Sequence, residues 1–150
     1  MTATVGTVLR GRTVVPGVVT GEALVSPETI SGWGGIDPAT GTIVEARHAL
    51  QGVCFAGRIL VFPGAKGSSG WSAFFQSCRL LGTAPLGMVF TVTTTKAALG
   101  AVVTRVPALA DLDADPVQVL RTGDRIRLDA TAGTVELLAR AGEHRAGEGT

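Results

Sequence analysis

Leu60-Val61-Phe62-Pro63-Gly64-Ala65-Lys66-Gly67-Ser68-Ser69-Gly70 is where this chain changes from one kind of structure to another. Leu60, Val61 and Phe62 read as the end of a buried strand, and glycines then bracket a pair of serines. An amphipathic segment follows at once. From Trp71 to Leu81 the apolar residues fall at Trp71, Phe74, Phe75, Cys78 and Leu81, the spacing of one helix face. The spacing therefore predicts strand, turn and helix, with Ser68 and Ser69 at the helix N-terminus. Unpaired backbone N–H groups and the positive end of the helix dipole converge there and favour an anion. A serine at that point can cap the helix, bind a carboxylate or phosphate, or ionise more easily than a free hydroxyl. Taken alone, Gly67-Ser68-Ser69-Gly70 favours capping, because serine is a preferred N-cap.

Reading outward, Leu86 to Val92 is a second continuous apolar strand, and Lys96 to Thr104 has helical character with small residues on most faces. Arg58 to Phe62 and Leu86 to Val92 thus belong to two central β–α units. Thr7 to Val15 and Val18 to Val25 are β-rich runs split by the turn signal Pro16-Gly17. Ser31-Gly32-Trp33-Gly34-Gly35-Ile36-Asp37-Pro38 is a loop, and Thr42-Ile43-Val44 a short strand. Val106 to Leu109 is a short extended piece. Asp115 and Pro116 open a short helix through Leu120 as N-cap and N1. Arg125 to Ala130 pairs with Thr134 to Leu138 across a turn at Ala132-Gly133. The fold class predicted is mixed α/β, with strand pairs from the two ends of the chain closing a barrel-like sheet around the central units. Residues 1–140 form one domain, and the small, polar residues 141–150 are expected to be a disordered tail.

Composition narrows the function classes. Thirteen Lys and Arg face 12 Asp and Glu over 150 residues, so no basic field draws in nucleic acid. Two Trp, five Phe and no Tyr argue against a base-stacking surface. No apolar span is long enough to cross a membrane, and the N-terminal residues lack signal-peptide regions, so a soluble, cytoplasmic protein is expected. Cys54 and Cys78 stand alone in the sequence and cannot assemble a zinc or iron–sulfur site without outside ligands. Two buried thiols are expected.

Familiar catalytic patterns fail here. A nucleophile elbow needs G-x-S-x-G. Lys66 precedes the glycines, where a P-loop places lysine after them, and a solvated loop lysine is the plainer reading. A Ser/His/Asp triad would have to use His48, since His144 lies in the tail, and nothing supports it. Trp33 between glycines either admits a close-approaching ligand or partner, or plugs one end of the domain. For His48, beside Arg47, a solvated surface position is favoured over a ligand role.

Several blocks in order carry a resemblance. They are Pro16-Gly17, Gly21-Glu22-Ala23-Leu24-Val25-Ser26, Ser31-Gly32-Trp33-Gly34-Gly35-Ile36-Asp37, Thr40-Gly41, Arg47-His48 and Gly52. Phe62-Pro63-x-x-x-Gly67-Ser68-Ser69 and Leu120-x-Thr122-Gly123-Asp124 complete the set. From Leu9 to about Leu137 the chain resembles the small subunit of aconitase X, the detached swivel domain of the aconitase superfamily. The resemblance implies a swivelling β/β/α domain that works with a large subunit carrying an iron–sulfur cluster. The pair is a hydro-lyase that dehydrates a small hydroxy acid. The substrate is cis-3-hydroxy-L-proline in bacteria and mevalonate 5-phosphate in archaea. It further implies that Ser68 is the general base and that the partner's cluster iron takes the leaving hydroxyl as a Lewis acid. Ser69 and neighbouring amides hold the substrate carboxylate, with Gly67 leaving room. Trp33, Gly34, Gly35 and His48 are carried as further candidate substrate-binding residues. One departure stands out. Aconitases proper follow the serine pair with an arginine, and this chain has Gly70.

The first functional expectation is the small subunit of a cis-3-hydroxy-L-proline dehydratase. Eleven Arg against two Lys suggests a GC-rich genome and leans bacterial. The alternative is the mevalonate 5-phosphate enzyme. A non-catalytic swivel or partner-binding module is a third reading, and a purely structural oligomer a fourth. The last predicts that Ser68→Ala costs only a helix-cap increment, roughly 0.5–2 kcal/mol.

Overall fold

A computed structural model describes residues 3–66 and 70–141. The expected turn serines Ser68 and Ser69, with Gly67, lie outside the described residues, as does the expected tail beyond Ala141.

The centre of the molecule is three parallel strands, β7 (Ile59–Phe62), β9 (Gly87–Phe90) and β10 (Ala108–Ala110). Parallel neighbours need a crossover, and the helices α1 (Trp71–Leu81) and α2 (Thr95–Thr104) supply the two. Every residue of β7, β9 and β10 is buried, which is why these strands read as unbroken apolar runs. Ile59, Val61, Val89 and Leu109 point to one side of the sheet, and Leu60, Phe62, Met88 and Phe90 to the other. In register, Phe62 lies opposite Phe90, with ring centroids 5.1 Å apart and nearly perpendicular.

The remaining strands wrap this centre. β3 (Val18–Val25) runs parallel to β7, and β11 (Arg125–Asp129) pairs antiparallel with β3. β12 (Thr134–Ala139) follows, then β1 (Val8–Arg10), while β2 (Arg12–Val15) borders β10. The sheet order is thus β1-β12-β11-β3-β7-β9-β10-β2. Its two edge strands are consecutive in the chain and separated by Gly11 alone. A single residue cannot bridge the edges of an open eight-stranded sheet, so the sheet curls until they meet. The barrel-like closure expected from the paired ends is therefore present. The run expected to be one strand from Thr7 to Val15 breaks at Gly11, because there the chain passes from one edge to the other.

Inside the curl lie Ala23, Ile59, Val61, Val89, Leu109, Ile126, Leu128, Val135 and Leu137, with Leu120 among them. The short helix α3 (Pro116–Val119) leads into Leu120, its Asp115 carboxylate accepting the Val117 N–H as the sequence predicts. Outside, α1 and α2 cover the opposite face through Trp71, Phe75, Cys78, Ala97 and Ala101. Leu81, expected on the buried face of α1, is exposed in the last turn, where Gly82 ends the helix. Cys78 is buried as expected but Cys54 is exposed, in the loop entering β7 rather than in the core.

Thr122-Gly123-Asp124 closes the open end of the β11–β12 side. The Asp124 carboxylate is fully buried and accepts from Arg140 Nη1 at 2.9 Å and from the Arg121 and Ala141 N–H groups. This motif is a structural pin, remote in role from the serine turn. Among the described residues no helix is long and apolar enough to cross a membrane.

Candidate functional site

Two short parallel strands, β4 (Ile30–Ser31) and β8 (Ala65–Lys66), pair Ile30 with Ala65 and Ser31 with Lys66. The stretch Pro63 to Lys66 therefore carries a strand that the linear reading takes as turn. Both strands end at the same place. From Ser31 the chain enters the Trp33 loop, and from Lys66 it enters the Gly67-Ser68-Ser69 segment. The far end of that segment is held by Trp71, the first residue of α1, which is fully buried. The Trp71 indole packs 4.4 Å from the Phe75 ring and 6.1 Å from that of Phe62, and its Nε1–H donates to the Ile30 carbonyl at 2.8 Å. Lys66 and Trp71 are thus both tied to β4. The helix N-cap is Gly70, which has no side chain to cap with, so the expected serine N-cap is not the one used. No acidic residue occupies the first turn of α1.

The Trp33 loop is brought against this helix start. Gly32 lies so close to Trp71 that a Cβ there would stand 2.7 Å from the Trp71 Cα. A Cβ on Gly35 would meet the Ser31 carbonyl oxygen at 2.1 Å. These glycines are dictated by close backbone packing within the chain. Trp33 itself projects outward, 75% exposed, with its ring edge-to-face against Phe74 at 5.7 Å. The reading of Trp33 as a plug is overturned by that exposure: it seals nothing.

Residues 44–48, which follow the short antiparallel pair β5 (Ile36–Asp37) and β6 (Thr42–Ile43), form the third wall. The Val44 and Glu45 N–H groups both donate to the Gly35 carbonyl, at 2.8 and 3.2 Å. One Glu45 carboxylate oxygen accepts the Ser31 N–H at 3.2 Å and the other pairs with Lys66 Nζ. Burial pushes the Glu45 carboxyl up, yet Lys66, the Ser31 N–H and His48 together outweigh it and hold it below its ordinary value. Lys66 is therefore an ion-pair partner, where the sequence reading favours a solvated loop lysine. Glu45 is the residue the sequence reading missed; a lone glutamate after Thr42-Ile43-Val44 carries no local signal.

His48 is the larger correction. It is 5% exposed, so the solvated surface position favoured from sequence is wrong. Its Nδ1 accepts the Leu50 N–H at 3.0 Å, which leaves Nε2 as the donor to the Thr29 carbonyl at 3.2 Å. Nε2 also lies 3.5 Å from Ser26 Oγ. Both ring nitrogens are used within the chain, behind the loop rather than on its rim.

Burial pushes the Cys78 thiol up to about 11, with the hydrogen bond from Thr83 lowering it and nearby Asp37 raising it. Among the described residues, no three His, Cys, Asp or Glu side chains gather as metal ligands.

Residues 8–137 match the aconitase X swivel domain. The chain is 39% identical over 129 residues to the phosphomevalonate dehydratase small subunit of Methanocella arvoryzae, covering 86% of this chain and 98% of that one. It is 37% identical over 129 residues to the same-named subunit of Methanococcoides burtonii, covering 86% and 94%. The holo-form crystal structure of Thermococcus kodakaraensis aconitase X superposes with a TM-score of 0.84 at 37% identity, covering 89% of this chain and 99% of that one. Matching over most of its length in sequence and in backbone alike, the chain belongs to the aconitase X swivel-domain family.

Proposed function

We propose that this chain is the small subunit of a phosphomevalonate dehydratase, a hydro-lyase completed by a large subunit, with Ser68 as its general base. The observation that supports the reading is the placement of the two residues that flank Ser68's segment: Lys66 ends β8, Trp71 begins α1, and both strand and indole are bonded to β4. The relatives named above supply the substrate, a hydroxy acid bearing one carboxylate and one phosphate.

In this reading Ser68 takes the proton from the carbon next to the carboxylate. The C–H electron pair becomes the new carbon–carbon double bond as the neighbouring C–O bond breaks and water is lost. A serine hydroxyl is a weak base in water, so the alkoxide needs stabilising. The first-turn N–H groups of α1 have no intrahelical partners and point toward the preceding segment, where they and the helix dipole favour negative charge. Ser69 and these amides also hold the substrate carboxylate, and Gly67 leaves space for it. Gly70, in place of the arginine of aconitases proper, suits a substrate with a single carboxylate. Trp33, Gly34 and Gly35 form the rim over the helix start. His48 is a positioning residue, holding the 44–48 wall through Thr29 and Leu50.

The thiols do not fit an iron–sulfur cluster, because Cys78 is buried in the core, Cys54 is exposed in the loop entering β7, and neither belongs to a group of metal-ligating side chains among the described residues. The cluster is accordingly assigned to the large subunit, and no step of this chain's chemistry is routed through it. A second reading, cis-3-hydroxy-L-proline as substrate, rests on the 11 Arg to 2 Lys bias of the sequence.

The test is anaerobic co-expression with the large subunit and assay on both substrates, beside a Ser68→Ala complex. Turnover of mevalonate 5-phosphate that collapses in an intact Ser68→Ala complex supports substrate and base together. Turnover of hydroxyproline alone replaces the substrate. Full activity in Ser68→Ala removes Ser68 as the base.

A further inference from the structure

The turn at residues 45–48 is fixed from outside itself. The His48 N–H donates to the Glu45 carbonyl at 3.2 Å, and Arg47, third in the turn, takes a left-handed backbone with φ 65°. A non-glycine residue keeps that conformation only where surrounding contacts impose it. Two side-chain bonds tie the turn to the segment entering β4. The Ala49 N–H donates to Glu28 Oε2 at 2.8 Å, and the His48 ring reaches the Thr29 carbonyl.

The ring is the more demanding of the two ties. His48 is buried, its Nδ1 accepts the Leu50 N–H at 3.0 Å, and its Nε2–H donates to the Thr29 carbonyl at 3.2 Å. Ser26 Oγ, 3.5 Å from Nε2, already donates to the Glu28 carbonyl at 2.6 Å. Only the neutral ring with its proton on Nε2 satisfies this pattern. A second proton lands on Nδ1 and faces the Leu50 N–H, two donors with no acceptor between them. Away from water that contact cannot persist, so the Leu50 bond breaks and the ring turns away.

Charges around the ring pull the other way. The Glu45 carboxylate, which holds Lys66 and the Ser31 N–H, is close enough to interact with His48 electrostatically. The Glu28 carboxylate lies on the Ala49 N–H, one residue along. Arg47 is the exposed cation of the turn, and Lys66 is paired with Glu45. Two carboxylates therefore favour a charged ring that the Leu50 bond forbids. Each protonation state has its own set of contacts.

We propose that His48 is a pH-sensitive latch: the neutral ring clamps residues 45–50 to the segment entering β4, and protonation at Nδ1 opens the clamp. Glu45 stands on the same turn, so opening also loosens its grip on Ser31 and Lys66. The latch does not depend on which reaction the chain serves.

Nuclear magnetic resonance of the full chain tests it from about pH 8 to about pH 5, the span in which histidines ordinarily titrate. The ring nitrogens should show the Nε2–H tautomer at the upper end. Exchange protection of the Leu50 amide should fall by on the order of tenfold or more, along the same titration as the ring. The buried Val89 amide of β9 should lose far less. His48→Asn is the decisive variant, because an asparagine side chain bonds the backbone N–H two residues on and does not titrate. Its Leu50 protection should no longer vary with the titration. A ring that stays neutral throughout, an Nδ1–H ring at the upper end, or Leu50 protection indifferent to the ring overturns the latch. So does a Val89 loss equal to that at Leu50, or the wild-type profile persisting in His48→Asn.

Discussion

Gly100, in the middle of α2, tests how tightly the helix layer holds the start of α1. A Cβ built on it would lie 1.9 Å from Cζ3 and 2.4 Å from Cε3 of Trp71. Carbon atoms pack at about 3.5–4.0 Å, so Gly100→Ala requires a displacement of roughly 1.6 Å or more. The indole has little room to give it, stacked between Phe62 and Phe75 and bonded to the Ile30 carbonyl. Two effects oppose each other. Alanine in a helix interior is favoured over glycine by about 1 kcal/mol. Overpacking costs about 1–3 kcal/mol, and breaking the indole hydrogen bond to a buried carbonyl adds about 1–3 kcal/mol more. The clash wins by about 1–5 kcal/mol, about 3 at the centre, which lowers the melting temperature of a chain this size by roughly 6–12 °C at that centre. Thermal and urea unfolding of Gly100→Ala measure it directly. Trp71→Phe removes the ring carrying Cζ3 and Cε3, so the double variant should be more stable than the two single losses predict, by about 1 kcal/mol or more. A rise in melting temperature for Gly100→Ala, or strict additivity in the cycle, would refute the claim that this glycine exists to admit Trp71.

Asp124→Ala strands a buried Arg140 guanidinium and should cost about 3–5 kcal/mol in urea unfolding, far more than a surface aspartate such as Asp113. In the native protein a thiol reagent near neutral pH should label Cys54 and leave Cys78 unlabelled, with the second thiol appearing only on unfolding; equal rates would contradict the burial and raised pKa of Cys78. The Glu45 carboxyl is depressed, so its contribution to stability is complete above the ordinary glutamate range and is lost as pH falls through the lower folded value. Stability profiles of the wild type and Glu45→Gln should therefore run a constant distance apart at neutral pH and converge below about pH 4. Profiles that stay apart in acid would show that the Lys66 and Ser31 contacts do not depend on the charge.

Short-range rules carried much of the fold. The apolar runs around Leu60 and Val89 mark strands buried on both faces, and the 3.6-residue period after Trp71 marks the helix between them. Asp115-Pro116 opens α3 through contacts two residues apart, and Ala132-Gly133 closes a hairpin of neighbouring strands. Each of these is an interaction within one turn or one hairpin, so its pattern lies in consecutive residues. The ordered Trp33 and serine blocks likewise carry the family likeness in the linear sequence.

Other features have no local trace. β4 and β8 pair across residues 31–65, two residues each, too short for any period to show. Gly11 joins the sheet's edges only because seven other strand pairings have already curled it. His48, set beside a charged Arg47 in a polar stretch, looks like a surface residue until Thr29, Ser26 and Leu50 close around its ring. Gly32 and Gly100 look like turn or flexibility residues, yet each is where Trp71, from another part of the chain, presses against the backbone. Secondary structure follows from neighbours in sequence, whereas burial, ion pairing and close approach depend on partners tens of residues away, which only the folded chain brings into contact.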